Sequence, residues 1–333
     1  MMTDQKQLNV PILIILFNRI DTLQVLFNVI KEQKPKNLYV YGDAPRPHVE
    51  GEKEKCEQAR DIVRQIDWDC NLKVNFREEN SGSAGKGVSS AISWFFEHVE
   101  YGIIFEHDVI PHPDYFLFCE ELLEKYKDNE KISVINGVNF QDGIKRGDGS
   151  YYFSIGSSNW GLATWKRFWK HYDLTLEHYP YSTYLKDLKF YKLCWRESFI
   201  RKDYFKLLKE KKIDDWAFQI HQTQHKLHGL SLIPNVNMIS NIGGGTDAYN
   251  LRDPDDCRLN RPVYPILPII HPSTIERDME ADMYQKKKVM FRPVLYIPKT
   301  NKSLRLNINS VFFFLLYALW RQFRRKFITK SKC

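Results

Sequence analysis

The stretch Tyr101-Gly-Ile-Ile-Phe-Glu106-His107-Asp108-Val-Ile-Pro111 decides how this chain is read. It predicts a short apolar strand that delivers two carboxylates, Glu106 and Asp108, at its C-terminal end. Residues i and i+2 of an extended segment lie on the same side. Two hard oxygen donors so placed suit a divalent cation that draws further ligands from a diphosphate. In an open α/β sheet, ligands bind at the carboxyl ends of the strands. The segment therefore predicts a metal–diphosphate site. The plainer alternative makes Asp108 the N-cap of a helix following Pro111.

Outward from this segment, strand and helix patterns alternate. Val10–Asn18 is apolar and rich in β-branched residues, as a buried strand requires; Asp21–Gln33 has helical spacing, with Asp21 or Thr22 as its cap. Asn37–Tyr41 is a second strand, Gly51–Ile66 an amphipathic helix and Leu72–Phe76 a third strand. A Gly/Ser loop, Asn80–Gly87, precedes a helix at Val88–Val99. Gly102–Glu106 is the fourth strand, Asp114–Tyr126 a helix and Ile132–Ile135 a fifth strand. Strands separated by helices of this length imply right-handed βαβ units and a parallel sheet. After Gly137 the pattern loosens. Helices are predicted near Ser182–Leu193, Tyr204–Lys211 and Trp216–His228, with a strand at Leu230–Ile233 before Asn241-Ile-Gly-Gly-Gly-Thr-Asp247. This half reads as an acceptor-side elaboration of the same domain.

Composition narrows the class. At 333 residues the chain can bury one large core or two modest ones. The six cysteines form no CxxC pair, which suits a reducing compartment and argues against a disulfide scaffold or a zinc knuckle. The polar start, Met1 to Asn9, predicts no signal peptide, and no apolar run reaches the roughly 18 residues of a membrane span. The net charge of +8 is uneven, because Arg321 to Lys332 is strongly basic. Together with the aromatic run Val311–Trp320, this end predicts an interfacial helix at an anionic membrane surface, Val311 to Lys332; a helix docked on the core is the alternative. Basic residues do not interleave with aromatics in an RNA-binding strand, so nucleic acid is not an expected partner.

Four predicted strand ends carry polar residues: Asn18 and Arg19, Asp43 and Arg46, Arg77 and Asn80, Glu106 and Asp108. In a parallel sheet all four open onto one rim. Asp43 is placed to accept hydrogen bonds from a base or ribose, and Arg77 to neutralise phosphate. Ser81-Gly-Ser-Ala-Gly-Lys86-Gly87 permits close backbone approach to a phosphate, with Lys86 as a contact, although it is no Walker A motif and also reads as an ordinary turn. His221 and His225 have the i, i+4 spacing of a zinc pair, but no HExxH glutamate and no third ligand accompany them. They read as histidines satisfied within a helix. Trp160 and Trp165 suit either sugar stacking or the core.

At this point the residues resemble a known group. Ala91-Ile-Ser-Trp-Phe-Phe-Glu97, Gly102-Ile-Ile-Phe-Glu-His-Asp108, Phe118-Cys-Glu-Glu-Leu-Leu-Glu-Lys-Tyr126, Trp160-Gly-Leu-Ala-Thr-Trp165 and Ile233-Pro-Asn-Val-Asn-Met-Ile-Ser-Asn-Ile-Gly243 look like bacterial GT-A-fold glycosyltransferases, the nucleotide-diphospho-sugar transferases of surface-polysaccharide loci. The likeness spans roughly residues 10 to 285. It implies a Rossmann-like, mostly parallel α/β sheet flanked by helices, with an aromatic-rich acceptor half. In that family the strand end typically reads Glu-Asp-Asp, similar to protein-linked N-acetylglucosaminyltransferases. Its last Asp, expected to bind Mn²⁺ or Mg²⁺, maps onto Asp108; Asp43 maps near the nucleoside. His107 departs from the pattern, as does Ala217 at the place of a possible catalytic Asp.

These readings converge on a metal-dependent, inverting transferase using a nucleotide sugar, with a UDP-sugar favoured, and a glycan or lipid-linked acceptor. Asp108, with Glu106, is the expected metal site. Asn18, Arg19, Asp43, Arg46, Arg77, Asn80, Lys86, Glu106 and His107 are the expected donor contacts. Asp215 is the first candidate base, with Asp214 and Asp247 behind it. The expected domain covers residues 1–290, with a nucleotide-sugar half at 9–140, an acceptor half at 141–290 and an extension at 291–333. The expected location is the cytoplasmic face of the membrane. Two rivals remain: a catalytically impaired binding or assembly protein, suggested by His107 and Ala217, and a nucleotidyltransferase.

Overall fold

Five consecutive apolar residues, Ile12–Leu16 (β1), are all buried, as befits a strand covered on both faces. The computed structural model describes residues 7–156, 158–245, 251, 253, 256–290, 294–297 and 302–305. Three βαβ steps follow from β1 through α1 (Ile20–Gln33), β2 (Asn37–Gly42), α2 (Glu52–Val63), β3 (Asn71–Phe76), α3 (Ala84–His98) and β4 (Tyr101–Glu106). These strands pair in parallel in the order β3-β2-β1-β4. In register, Leu16 lies opposite Gly42, Gly42 opposite Phe76, and Ile15 opposite Glu106. All four carboxyl ends therefore reach one rim, as the sequence predicts.

The chain then runs through β5 (Val109–Pro111), α4 (Asp114–Lys125), β6 (Ile132–Ile135), β7 (Tyr151–Ser154), β8 (Leu162–Trp165), α5 (Lys166–Trp169), α6 (Tyr181–Phe190), α7 (Trp195–Lys209), α8 (Ala217–Lys226), β9 (Leu230–Pro234), β10 (Ile239–Asn241) and α9 (Met279–Gln285). The main sheet has eight strands in the order β3-β2-β1-β4-β8-β6-β9-β7. It is an α/β sheet with parallel pairings in the majority, but β8 runs antiparallel between β4 and β6, and β7 antiparallel to β9. This is the mostly parallel α/β sheet that the sequence predicts. β7 and β8 are four residues each and wholly buried, so neither is long enough to show strand periodicity. The second half supplies β7, β8 and β9 to the same sheet. α7 starts at Trp195, nine residues before its predicted start at Tyr204.

Two compact units divide between Asp282 and Met283. The described part of the second unit holds one π-helical turn (Lys286–Met290) and an antiparallel hairpin of β11 (Val294–Ile297) and β12 (Lys302–Arg305). The predicted interfacial helix, Val311 to Lys332, lies outside the described residues. Among those described, no helix is long and apolar enough to cross a membrane.

Alternation along the strands sends Leu13, Ile15 and Ile104 toward Val88, Ile92 and Phe95 of α3. Phe105 points to the opposite face and meets Phe116 of α4, with ring centroids 5.7 Å apart. Trp165 belongs to the core: it is 2% exposed and its indole N–H donates to the Leu123 carbonyl at 3.1 Å. The approach of α3 to β4 leaves no room for a side chain at Gly102. A Cβ there would lie 2.4 Å from Phe95 Cζ and 2.6 Å from the Pro11 carbonyl oxygen. Gly102→Ala should therefore cost about 1–3 kcal/mol by overpacking. An unchanged urea midpoint would show that the contact is looser than described.

Candidate active site

β4 ends at Glu106, the chain turns through His107 and Asp108, and β5 leaves the main sheet to pair antiparallel with β10, Val109 opposite Asn241. The turn is thus pinned between two sheets. This overturns the alternative reading of Asp108 as a helix cap, because β5 intervenes and α4 starts only at Asp114, with Pro113 at its N-cap. The Asp108 carbonyl accepts the Ile242 N–H at 2.9 Å. Its carboxylate Oδ2 lies 3.5 Å from Arg19 Nη1, which also donates to the Gly243 carbonyl at 2.8 Å. Only glycine fits at 243, since a Cβ there would sit 1.8 Å from Asp108 Oδ2.

Desolvation in the cleft pushes the Glu106 carboxyl up to about 8, and the charge of Asp108 adds to the effect. Asn159 Nδ2 donates to Glu106 at 3.4 Å and works the other way. Desolvation also holds the His107 imidazole below the usual histidine range, toward its neutral form. The His107 N–H extends the strand ladder by donating to the Ile15 carbonyl at 3.1 Å.

The cleft has two lobes. The first, about 540 Å³, lies over the strand ends and is lined by Asn18, Tyr41, Asp43, Arg46, Asn80 and His107 among others. The second, about 470 Å³, is lined by Asn159, Trp160, Tyr204, Asp215, Ala217 and Arg258 among others. Arg19, Ala84, Glu106, Asp108 and Asp214 line both. The lobes meet at the carboxylates of the strand-end turn.

In the first lobe, much of the polar capacity is spent on building the rim. Asp43 accepts from the Ala44 and Ser81 N–H groups at 2.9 and 3.0 Å and from the Ser81 hydroxyl at 2.5 Å. Asn80 Nδ2 donates to the Ala44 carbonyl at 2.6 Å. Arg77 and Lys86 are not brought to either lobe. Arg77 turns to Asp43, to the Tyr41 hydroxyl and to the Glu79 carbonyl, while Lys86 is exposed on the first turn of α3.

Glu52, absent from the sequence reading, is the deepest part of this rim at 2% exposure. Its carboxylate accepts from the Arg46 guanidinium, from the Arg46 backbone N–H at 2.7 Å and from Asn18 Nδ2 at 2.9 Å. These donors, Arg46 foremost, hold it below the usual carboxylate range. The only sequence signal was a glutamate opening a helix six residues after an arginine, a pattern that surface helices share.

The loop predicted to run to Gly87 ends at Ser83, whose hydroxyl caps α3 by accepting the Lys86 N–H at 3.2 Å. Gly85, Lys86 and Gly87 are therefore helical, and the glycines admit protein carboxylates. Asp214 accepts from the Gly85 N–H and the Ser83 hydroxyl, both at 3.1 Å, and a Cβ on Gly85 would lie 2.3 Å from it. A Cβ on Gly87 would lie 3.1 Å from Asp43. Asp215 occupies the start of α8, accepting from the Ala217 and Phe218 N–H groups at 2.7 and 3.1 Å and from the Tyr204 hydroxyl at 2.5 Å. Asp247 lies outside the described residues. His225 is fully buried on α8, its ring tilted against Tyr191 with centroids 4.7 Å apart.

Among the described residues, no three His, Cys, Asp or Glu side chains converge as a cage. The donor set nevertheless suits a divalent cation with two protein ligands. Glu106 and Asp108 repel one another in a desolvated turn, and a cation between them relieves the repulsion that a proton otherwise relieves.

No family model and no curated protein matches the chain. Among solved structures it is similar to a mannosyltransferase from Pyrobaculum calidifontis in complex with GDP-Man and Mn²⁺, at 12% identity over 50% of this chain and 47% of that one, with a TM-score of 0.34. It is also similar to an inositol-1-phosphate CTP transferase from T. maritima, at 7% identity over 68% and 85% with a TM-score of 0.35. A third is mouse xyloside xylosyltransferase 1, at 12% over 65% and 81% with a TM-score of 0.31. The chain spans about half the length of the mannosyltransferase. Likeness of this degree decides nothing about chemistry. The chain's own sheet and cleft define the class: an α/β protein with a two-lobed cleft at the carboxyl ends of its parallel strands.

Glu52 yields a stability prediction. A carboxyl whose pKa is lower in the folded than in the unfolded chain stabilises above the unfolded value and loses that contribution as pH falls through the folded value. Because Arg46 is about half exposed, Glu52→Gln should cost about 1–2 kcal/mol at pH 7. The gap between wild type and variant in urea denaturation should close on acidification below about 4.5. A gap that is independent of pH would remove the ion pair as the cause.

Proposed function

We propose that the chain is a glycosyltransferase that takes a sugar from a nucleotide-diphosphate donor and passes it to a glycan or lipid-linked acceptor. The observation that carries this reading is the meeting of two ligand-sized lobes at Glu106, Asp108, Arg19 and Asp214. Group transfer needs donor and acceptor held against one another at a single point, whereas a simple binding protein needs one cavity.

The first lobe is the donor side. Asn18, Asp43 and Asn80 offer polar edges to the nucleoside, and a UDP-sugar remains the favoured donor. Arg19, at the junction, is the cation that a diphosphate would meet. A divalent cation, Mn²⁺ or Mg²⁺, held by Asp108 with Glu106 would offset negative charge on the leaving diphosphate. The second lobe is the acceptor side. Asp215, oriented by Tyr204 and the first N–H groups of α8, takes the proton of the acceptor hydroxyl. That oxygen bonds to the anomeric carbon as the bond to diphosphate breaks, which is an inverting displacement. Asp214 positions the acceptor-side loop on α3, and Asp247 is a further candidate base. The basic tail, Val311 to Lys332, would hold the enzyme at the cytoplasmic face of a membrane where lipid-linked acceptors reside.

The test is a nucleotide-sugar panel with Mn²⁺ or Mg²⁺ that follows release of nucleoside diphosphate. Release should be metal-dependent and should fall by about 10²-fold or more in Asp108→Asn. Asp215→Asn should lose turnover while keeping nucleotide affinity. Release of pyrophosphate instead would make the protein a nucleotidyltransferase. Nucleotide-sugar binding without release from any donor would make it a binding protein with a degenerate site, as His107 and Ala217 suggest.

A further inference from the structure

Within the transferase reading, the second lobe carries information about its ligand. Anions bind proteins at guanidinium forks and at helix N-termini. This lobe contains both kinds of place, and each already holds a carboxylate of the chain. Arg258 grips Asp256 bidentately, Nη2 to Oδ2 at 2.7 Å and Nε to Oδ1 at 2.8 Å. Arg19 lies against Asp108 and the Gly243 carbonyl and faces the donor lobe as well. The N-terminus of α3 receives Asp214, and that of α8 receives Asp215. What remains for a ligand is the half-buried Trp160 ring, the amide of Asn159 and the carboxylate oxygens of Asp214 and Asp215. Ring faces pack against the C–H face of a sugar, and carboxylates accept from hydroxyl or ammonium groups.

We propose that this lobe accepts an uncharged or amino-bearing sugar ring and rejects a ring that carries a carboxylate or phosphate. A ring with its own anion would face the carboxylates of Asp214 and Asp215 and, among the described residues of the lobe, no guanidinium without a carboxylate beside it. This proposal rests on the transferase reading for the term acceptor, but the selectivity belongs to the lobe itself. The charge of a lipid-linked acceptor, if it carries a diphosphate, would then have to lie outside the cavity.

The test uses the full-length protein and measures dissociation constants by saturation-transfer NMR for methyl glucoside, methyl N-acetylglucosaminide, methyl glucosaminide, methyl glucuronide and glucose 6-phosphate. The glucuronide and the phosphate should bind about tenfold or more weakly than the best of the other three. Asp256→Asn keeps the oxygen that accepts the Arg258 backbone N–H but frees the guanidinium charge. It should narrow the glucuronide gap severalfold and leave glucoside affinity unchanged. Glucuronide or phosphate binding as tightly as the neutral rings, or no ring binding at all, overturns the proposal. A gap unaltered in folded Asp256→Asn overturns charge as its cause. Nucleoside diphosphate titrated into the same samples reports separately on the donor lobe. Ring selectivity without nucleotide binding would sink the transferase reading and leave the lobe's selectivity standing.

Discussion

The structure hinges on the place where the chain leaves its main sheet. At Glu106 the ladder with β1 ends, and three residues later Val109 pairs with Asn241 in a second, two-stranded sheet. The turn between them cannot relax toward either sheet, because it is bonded to both. Arg19 closes the arrangement by reaching from the end of β1 to Asp108 and to the carbonyl of Gly243. A carboxylate held this way stands at a fixed point on the floor of the cleft. The rest of the cleft is arranged around that point: the polar rim of the first lobe on one flank and the second lobe on the other.

A second constraint is electrostatic. The cleft gathers Glu106, Asp108, Asp214 and Asp215 in little space, a concentration of like charge that would disfavour the folded chain if left bare. The fold compensates three of them locally, two with helix N-termini and one with a guanidinium. Glu106 alone has only a long amide contact among those described, and its proton affinity rises accordingly. The same compensation has a chemical consequence. Helix ends and arginines that hold carboxylates are no longer general anion sites.

Legibility followed burial and length. β1 through β4 were readable because each is an apolar or alternating run between turn residues, with a helix-length segment on either side. The rim then followed from topology, since parallel strands joined by helices bring their carboxyl ends together. β7, β8 and β10 were not readable: three or four residues cannot display a period, and their pairing depends on partners that for β10 lie more than a hundred positions away. Glu52 escaped notice because its importance is a matter of depth, and depth belongs to α2 lying across the loop at Arg46. Arg77 was drawn toward a phosphate role by its position after β3, yet Asp43 and Tyr41 were nearer partners.

By itself, the sequence determined that the chain is an α/β protein with a polar rim at its strand ends and two carboxylates on the fourth strand's exit. Local periodicity and the chemistry of turns suffice for that. Only the tertiary structure decided that Gly85, in the first turn of α3, admits Asp214, and that Asp108 is a pinned turn residue and not a helix cap. Those outcomes depend on hydrogen-bond partners far along the chain, Ser83 and Gly85 for Asp214 and Ile242 for Asp108, and partners separated by more than a hundred residues leave no periodic trace in the chain that joins them.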